Sequence, residues 1–387
     1  MKSALNRIGK SILKKIGRVR YVIVECEAGR TDNTLTLLSE LIRRGWTREL
    51  RLVALSQDPK KLRGLKADHI EVLKRSPSRR ELFARLRLRY IKLHAVLILD
   101  ENTQITKEAP ETLHVYLTHG SPLKSVRKYY QCTKDTDYML NQSEFWRGIN
   151  AEEFGIPADR LITLGYPRND ALFKKTDVKS LFPGLFQWIV AWYPTFRHHK
   201  SGTYREGAAI PVIHDPDYAR LIDALAAKYK LLLLIKPHPA QDMSMIQELR
   251  LNNVRLIENR FFEEHGLEPY EFLGNMDALI TDYSSVVFDY LLVGKPVAFT
   301  FEDIQQYSEK VGLAVDPGLL SPSGELLDTP EDFERFFADL TGGRDPHRAE
   351  RERLTRLTNE YLDGASAARV ADWLERRINI NELGGAR

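Results

Sequence analysis

Two histidines and a run of hydroxyl and carboxyl side chains stand where apolar stretches give way to polar sequence. His119 follows Val115-Tyr116-Leu117-Thr118, and Gly120 after it lets the backbone turn close to a ligand. An imidazole there takes a proton near neutral pH, as a general base must. His238 follows Leu233-Leu234-Ile235-Lys236 and sits between Pro237 and Pro239, which make its loop rigid. From that loop it would donate a hydrogen bond to a leaving phosphate. Tyr193-Pro194 leads into Thr195, Phe196 and Arg197, where a guanidinium can fork onto phosphate oxygens and a threonine can donate to one. The fourth run, Leu279-Ile280-Thr281-Asp282-Tyr283-Ser284-Ser285, places two serines where a strand hands over to a helix. A helix N-terminus presents unpaired N–H groups and partial positive charge, which suits a phosphate. Glu302 and Asp303 offer carboxylates for ribose or polyol hydroxyls, with a solvated acidic loop as the plainer reading. Singly, a serine cap, a carbonyl-bound histidine or a surface arginine accounts for each. Ionisable residues at four strand ends together point to chemistry on a phosphate.

The elements that must position these residues alternate. Strands are expected at 21–24, 50–55, 70–73, 95–99, 114–118 and 138–140, with helices at 34–41, 59–62, 78–89, 121–130 and 143–154. After Gly165-Tyr166-Pro167 the alternation restarts, with strands at 189–193, 231–235, 254–257, 278–281 and 297–299 and a helix at 217–229. Two further helices are expected after Asp345-Pro346 and from Ser366 to Arg376, with Gly364 between them. This order argues for an α/β fold of two doubly wound parallel sheets, the carboxyl ends of their strands facing a cleft. The expected divisions are a basic amphipathic helix over 1–20, an N-terminal domain over 21–180, a C-terminal domain over 181–344 and closing helices over 345–387.

Composition bounds the function. At 387 residues, 43% apolar and 28% charged, the chain can bury two cores and is not disordered. Two cysteines, Cys26 and Cys132, make no disulfide framework and no metal spacing, which fits a reducing cytoplasm. No run approaches a transmembrane length, and lysines interrupt the N-terminal segment as a secretory signal would not allow. Residues 1–20 hold Lys2, Arg7, Lys10, Lys14, Lys15, Arg18 and Arg20 and no acid, with Leu5, Ile8, Ile12, Leu13 and Ile16 on one helical face. Such a helix suits an anionic membrane surface, with a cap on the N-terminal domain as the alternative. Arg79, Arg80, Arg85, Arg87 and Arg89 make the segment 60–92 basic again.

With these segments in place, the sequence resembles the CDP-glycerol glycerophosphotransferase family, the enzymes that build teichoic acid backbones. The resemblance rests on His119-Gly120-Ser121-Pro122-Leu123-Lys124, Gly165-Tyr166-Pro167-Arg168-Asn169-Asp170, Pro194-Thr195-Phe196-Arg197 and Lys236-Pro237-His238-Pro239. It continues through Ile280 to Asp289, Lys295-Pro296, Asp303 and Tyr307, so it covers roughly residues 95 to 310 in order. Thr118 stands where the family usually has tryptophan, and Val311-Gly312 where it usually has Arg-Gly. The resemblance implies a GT-B-like fold whose final helices cross back to the N-terminal domain. It implies a donor, CDP-glycerol or CDP-ribitol, in the C-terminal domain, and no tightly bound cofactor. A metal requirement is left open, no ligand cluster being visible.

The acceptor implied is an undecaprenyl-diphosphate-linked disaccharide or an already primed chain, reached from the cytoplasmic face of the membrane. His119 would deprotonate its hydroxyl for attack on the β-phosphorus, expelling CMP. Arg197, His238, Ser284 and Ser285 would hold the diphosphate, with Thr195, Lys236, Thr281, Asp282 and Asp303 on the donor side. Gly120, Ser121, Lys124 and Arg168 would line the acceptor side. Chain length favours a primase adding the first glycerol phosphate. A poly(glycerol or ribitol phosphate) polymerase and a nucleotide-sugar glycosyltransferase are the alternatives among enzymes. A non-catalytic protein binding nucleic acid through its basic surface does not explain the strand-end residues.

Overall fold

This computed structural model describes residues 19–27, 32–60, 62, 70–195, 210–238, 241 and 243–378. The segment expected as a basic helix therefore lies outside the described residues up to position 18, and so does Arg197. The chain divides into two units. The first comprises Met1–His119, Tyr129–Asp170 and Ala365–Arg387, and the second Gly120–Lys128 and Ala171–Gly364.

In the first unit β1 (Tyr21–Glu25), α1 (Asp32–Arg43), α2 (Trp46–Glu49), β2 (Arg51–Ser56), β3 (Glu71–Lys74) and α3 (Leu82–Leu93) lead to β4 (Ala95–Asp100). β5 (Leu113–Tyr116), β6 (Tyr138–Asn141), α4 (Trp146–Phe154) and β7 (Leu161–Thr163) follow. The strands pair in parallel in the order β3-β2-β1-β4-β5-β6-β7. Alternate residues of β1 serve opposite faces. Val22 and Val24 join Leu37, Leu41, Val370 and Leu374, whereas Tyr21 and Ile23 join Leu88 and Ile91. Helices on both faces are why these strands read as continuous apolar runs.

The second unit contains β8 (Trp188–Tyr193), α5 (Pro216–Lys228), β9 (Leu231–Ile235), α6 (Ser244–Leu249), β10 (Val254–Leu256), α7 (Asn259–His265), α8 (Pro269–Gly274) and β11 (Ala278–Thr281). After these come α9 (Val286–Tyr290), β12 (Val297–Phe299), α10 (Ile304–Val311), β13 (Glu325–Leu326), α11 (Pro330–Thr341) and α12 (Arg348–Thr358). Its parallel order, β10-β9-β8-β11-β12-β13, repeats that of the first unit without the seventh strand. Each sheet thus reverses direction between its first and fourth strands, the point where doubly wound folds place ligands. The last helix, α13 (Ser366–Ile378), belongs to the first unit. Arg44, just after α1, pairs with Asp372, and Trp46 Nε1 donates to Glu375 at 3.2 Å.

Several expectations need correction. Residues 121–130 are not helical, because their backbone groups pair elsewhere. Ser125 N donates to Gly312 O at 3.1 Å, Ala314 N donates to Leu123 O at 2.8 Å, and Lys124 bridges Leu313 antiparallel. The helix expected from Ser78 starts at Leu82, since Glu81 turns its carboxylate onto Ser78 N at 2.6 Å. Only one of the two closing helices lies with the first unit. α12 stays in the second, where Arg351, 2% exposed, pairs with Asp345 and Thr355 donates to Leu291 O. The division falls at Asp170/Ala171 rather than at 180, and residues 120–128 go with the second unit.

Candidate functional site

Each switch point is tied by a carboxylate. In the first unit Glu25, fully buried at the end of β1, accepts the N–H groups of Glu101 (2.9 Å), Asn102 (2.8 Å) and Thr103 (3.0 Å) beyond β4. Arg75 Nη1 stands 3.0 Å from the same carboxylate. Burial pushes the Glu25 carboxyl up, and the three N–H groups oppose that shift. In the second unit Asp282, also fully buried, accepts Thr195 N at 2.9 Å and Thr195 Oγ1 at 3.0 Å. Thr281 Oγ1 donates to Tyr193 O at 2.8 Å. The loops after β8 and β11 are thereby fixed to each other as those after β1 and β4 are.

His119 lies one strand further out, beyond β5. Thr118 before it has φ 50° and Gly120 after it φ 131°. A β-branched residue in the left-handed region costs roughly 1–3 kcal/mol, so the surroundings must hold it there. Asn33, buried at the start of α1, supplies that hold by donating Nδ2 to Thr118 O at 2.7 Å and accepting Arg168 N at Oδ1 at 3.0 Å. Arg168, 5% exposed, donates Nη1 to His119 O at 2.5 Å. The imidazole is half-buried with Nδ1 inward, and its ring meets that of Tyr130 at 4.4 Å between centroids.

Glu101 completes this group. Its Oε2 accepts Thr34 N at 3.1 Å and Thr34 Oγ1 at 3.2 Å. Burial, with the Asp32 carboxylate close by, pushes its carboxyl well above the usual carboxylate range against the pull of Arg168. Asp170, from the same short segment as Arg168, accepts Ser366 N and Ala367 N at 2.8 Å and so caps α13. Gly165 is obligatory in that segment: its φ is 77°, and a Cβ would come within 2.6 Å of Ser366 Oγ.

The structure therefore sorts the expected site residues by what they touch. Thr195, Thr281 and Asp282, read as donor contacts, are buried and engaged with backbone or with one another, so they build the loops. Asp303 accepts Tyr283 OH at 3.0 Å, and Tyr283 stacks on Tyr307 at 4.0 Å. Glu302 is not a solvated carboxylate, because it accepts Val212 N at 2.6 Å and lies 2.9 Å from His214 Nε2. Ser284 and Ser285 stand half-buried before α9, and Ser285 makes no side-chain cap. α9 itself has only 5 residues, so its dipole is weaker than the sequence suggested. Lys236 has its Nζ 5.8 Å from the Tyr193 ring centroid and 5.9 Å from that of Phe262, and His238 is exposed. Arg168 is a positioning residue for the His119 loop. Gly120 and Ser121 are buried and Lys124 exposed, all three in the second unit.

Asn33, Glu101 and Glu25 escaped sequence reading. Among the described residues, no group of three or more His, Cys, Asp or Glu side chains is arranged to hold a metal ion. No described helix is long and apolar enough to cross a membrane.

A sequence model of the CDP-glycerol:poly(glycerophosphate) glycerophosphotransferases matches residues 44–376. A teichoic acid glycerol-phosphate primase of Bacillus subtilis is 24% identical over 267 residues, which are 66% of this chain and 61% of the relative. The alignments span 55–64% of the length of the first curated relatives. Among solved structures, the wall teichoic acid polymerase TagF superposes with a TM-score of 0.67 at 17% identity, covering 96% of this chain and 93% of that one. A UDP-GlcNAc 2-epimerase of Neisseria meningitidis, bound to UDP-GlcNAc, gives a TM-score of 0.56 at 14% identity, over 92% of this chain and 100% of that one. These likenesses show a GT-B-like fold.

Proposed function

The chain belongs to the CDP-glycerol:poly(glycerophosphate) glycerophosphotransferase family, and on that premise we propose that it moves glycerol phosphate from CDP-glycerol to a lipid-linked acceptor as a primase. The observation that carries the reading is the His119 loop. Asn33 and Arg168 hold its backbone carbonyls, while the imidazole stays half-buried with Nδ1 inward. Nε2 is then the nitrogen that takes the acceptor's hydroxyl proton. The hydroxyl oxygen bonds to the β-phosphorus of CDP-glycerol, the bond from that phosphorus to the bridging oxygen breaks, and CMP departs with the electron pair. Loop rigidity matters because a base must stay within hydrogen-bond reach of its proton throughout the attack.

Lys236, His238, Ser284 and Ser285, with Arg197, bind the donor diphosphate and offset the charge that gathers on CMP. Asp282 and Thr195 act one step back, by fixing the loops that present those groups. A primase is favoured by the names of two of the curated relatives, both teichoic acid glycerol-phosphate primases.

The test is CMP release from CDP-glycerol and from CDP-ribitol, each offered an undecaprenyl-diphosphate-linked disaccharide and a glycerol-phosphate-primed one. Release from CDP-glycerol on the unprimed acceptor, ending after one addition, is expected. Sustained release on the primed acceptor would make the protein a polymerase. No release from either donor would overturn the proposal.

A further inference from the structure

Tyr130 is the aromatic neighbour of the candidate base. Its ring centroid lies 4.4 Å from that of His119, with the two planes at 58°. The ring is half-buried, and its hydroxyl bonds to no described residue. Tyr129, one residue back in the turn, is 69% exposed, and its side chain makes neither a hydrogen bond nor a ring contact among the described residues. Single exposed apolar side chains are ordinary on a protein surface. These two differ in standing beside a candidate base, on backbone that is pinned.

The pins follow directly in the sequence. Gln131 O accepts Gln104 Nε2 at 2.9 Å, and Gln131 Nε2 donates to Glu153 O at 2.7 Å. Cys132 N donates to Phe154 O at 2.8 Å, and Thr133 N to Gln104 Oε1 at 2.7 Å. These bonds fasten residues 131–133 to the loop after β4 and to the C-terminal end of α4, all within the first unit. A tyrosine on such a loop offers a large apolar face with a polar tip at little cost in entropy.

What meets the two rings follows from what His119 does. A base within hydrogen-bond reach of a hydroxyl brings the molecule bearing that hydroxyl against the base's own neighbours, so Tyr130 touches the acceptor. An aromatic face with a phenolic hydroxyl at its edge matches a pyranose, which carries C–H bonds on its face and hydroxyls around its rim. A glycerol phosphate end has no such face. Tyr129 stands one Cα step, about 3.8 Å, further on, within reach of a second sugar joined to the first. We infer that Tyr130 and Tyr129 form a saccharide subsite for the acceptor, a step that rests on the proposed function's assignment of His119. Tyr130 takes the sugar whose hydroxyl attacks, and Tyr129 the sugar joined to it. The subsite thereby selects a saccharide end over a glycerol phosphate end.

The test is saturation-transfer NMR on the full chain without donor, offered chitobiose, cellobiose, glycerol 3-phosphate and CMP in turn. Wild-type protein should pass saturation to the ring C–H protons of either disaccharide and not to glycerol 3-phosphate. The double variant Tyr129→Ser/Tyr130→Leu should bind the disaccharide about tenfold more weakly and CMP as the wild type does. Tyr130→Phe, which keeps the ring, should lose less. Should the double variant fail to show the wild-type thermal melt, Tyr129→Ser alone, at an exposed position, carries the measurement. In turnover, Tyr129→Ser should raise the KM for the lipid-linked disaccharide about tenfold. No transfer to either disaccharide, or transfer that the variants leave unchanged, would overturn the inference. So would loss of CMP binding in the variants in place of the sugar, which would make the rings a nucleotide stack. Sugar binding is read without chemistry and CMP release without the variants, so failure of the subsite and failure of the transferase reading are told apart.

Discussion

The two units share one strand order and one device at its reversal point, yet only the first uses the next strand to carry a candidate base. In the first, Glu25 fastens the loop after β4, and His119 follows β5 on a backbone held by Asn33 and Arg168. In the second, Asp282 fastens Thr195, and Lys236 and His238 follow β9 on the other side of the sheet order. The difference teaches that a polar residue at a strand end has two possible duties. A buried carboxylate with two or three N–H or O–H donors is structural, whereas the half-buried His119 and the exposed His238 keep part of their surface at solvent and are the candidates for substrate contact. Residue type alone does not separate them; burial and partners do.

The comparison is broken most severely by removing the ties. Asp282→Ala leaves Thr195 N–H and hydroxyl without their acceptor in a buried place, and should lower unfolding stability by about 2–4 kcal/mol. Glu25→Ala should do the same to the first unit, stranding three N–H groups. Chemical denaturation followed by hydrogen exchange locates each loss: peptides of β8 and β11 should lose protection in the first variant, and those of β1 and β4 in the second. Loss of protection in the same peptides for both would show that the two ties are not independent.

A gentler cut sharpens the first unit's own logic. Asn33→Ala frees the carbonyl of Thr118 and the N–H of Arg168, and should reduce kcat about tenfold while changing the donor KM little. Asn33→Asp keeps the acceptor for Arg168 N but not the donor for Thr118, so an intermediate kcat is expected. A donor KM that rises with kcat unchanged would place Asn33 in binding instead.

The smallest effect belongs to Glu144, an exposed control away from both strand ends. Its hydrogen bonds to Arg147 and Thr163 hold its carboxyl down at about 2, below the ordinary 4.5. A depressed folded value means stability that is present above pH 4.5 and lost as pH falls towards 2. With the side chain 59% exposed, solvent screening limits this to about 0.5 kcal/mol. Glu144→Gln should flatten the acid limb of the stability profile by that amount and leave transfer untouched.

Much of the framework was legible. Leu231–Ile235, Ala278–Thr281 and Val297–Phe299 are strands with the expected bounds, because buried apolar runs ended by polar residues leave little choice. The three residues of β7 and the two of β13 were missed, being too short to show a period. Residues 121–130 misled because their backbone partners, 312–315, lie almost two hundred positions away. The same distance hides the supports of the site. Asn33 meets Arg168 and Thr118 across 135 and 85 positions, and no local pattern announces such a pair. His119 and His238 were visible because strand, turn residue and imidazole are adjacent in sequence.

The central claim is that His119 is the base of a glycerol-phosphate transfer, and single-turnover CMP release by His119→Ala tests it most directly. With CDP-glycerol saturating and the lipid-linked disaccharide as acceptor, the rate should fall by about 10²–10⁴-fold. The thermal melt and CDP-glycerol affinity should stay those of the wild type. A rate within about threefold of wild type, far inside the range that loss of a general base produces, would contradict the account.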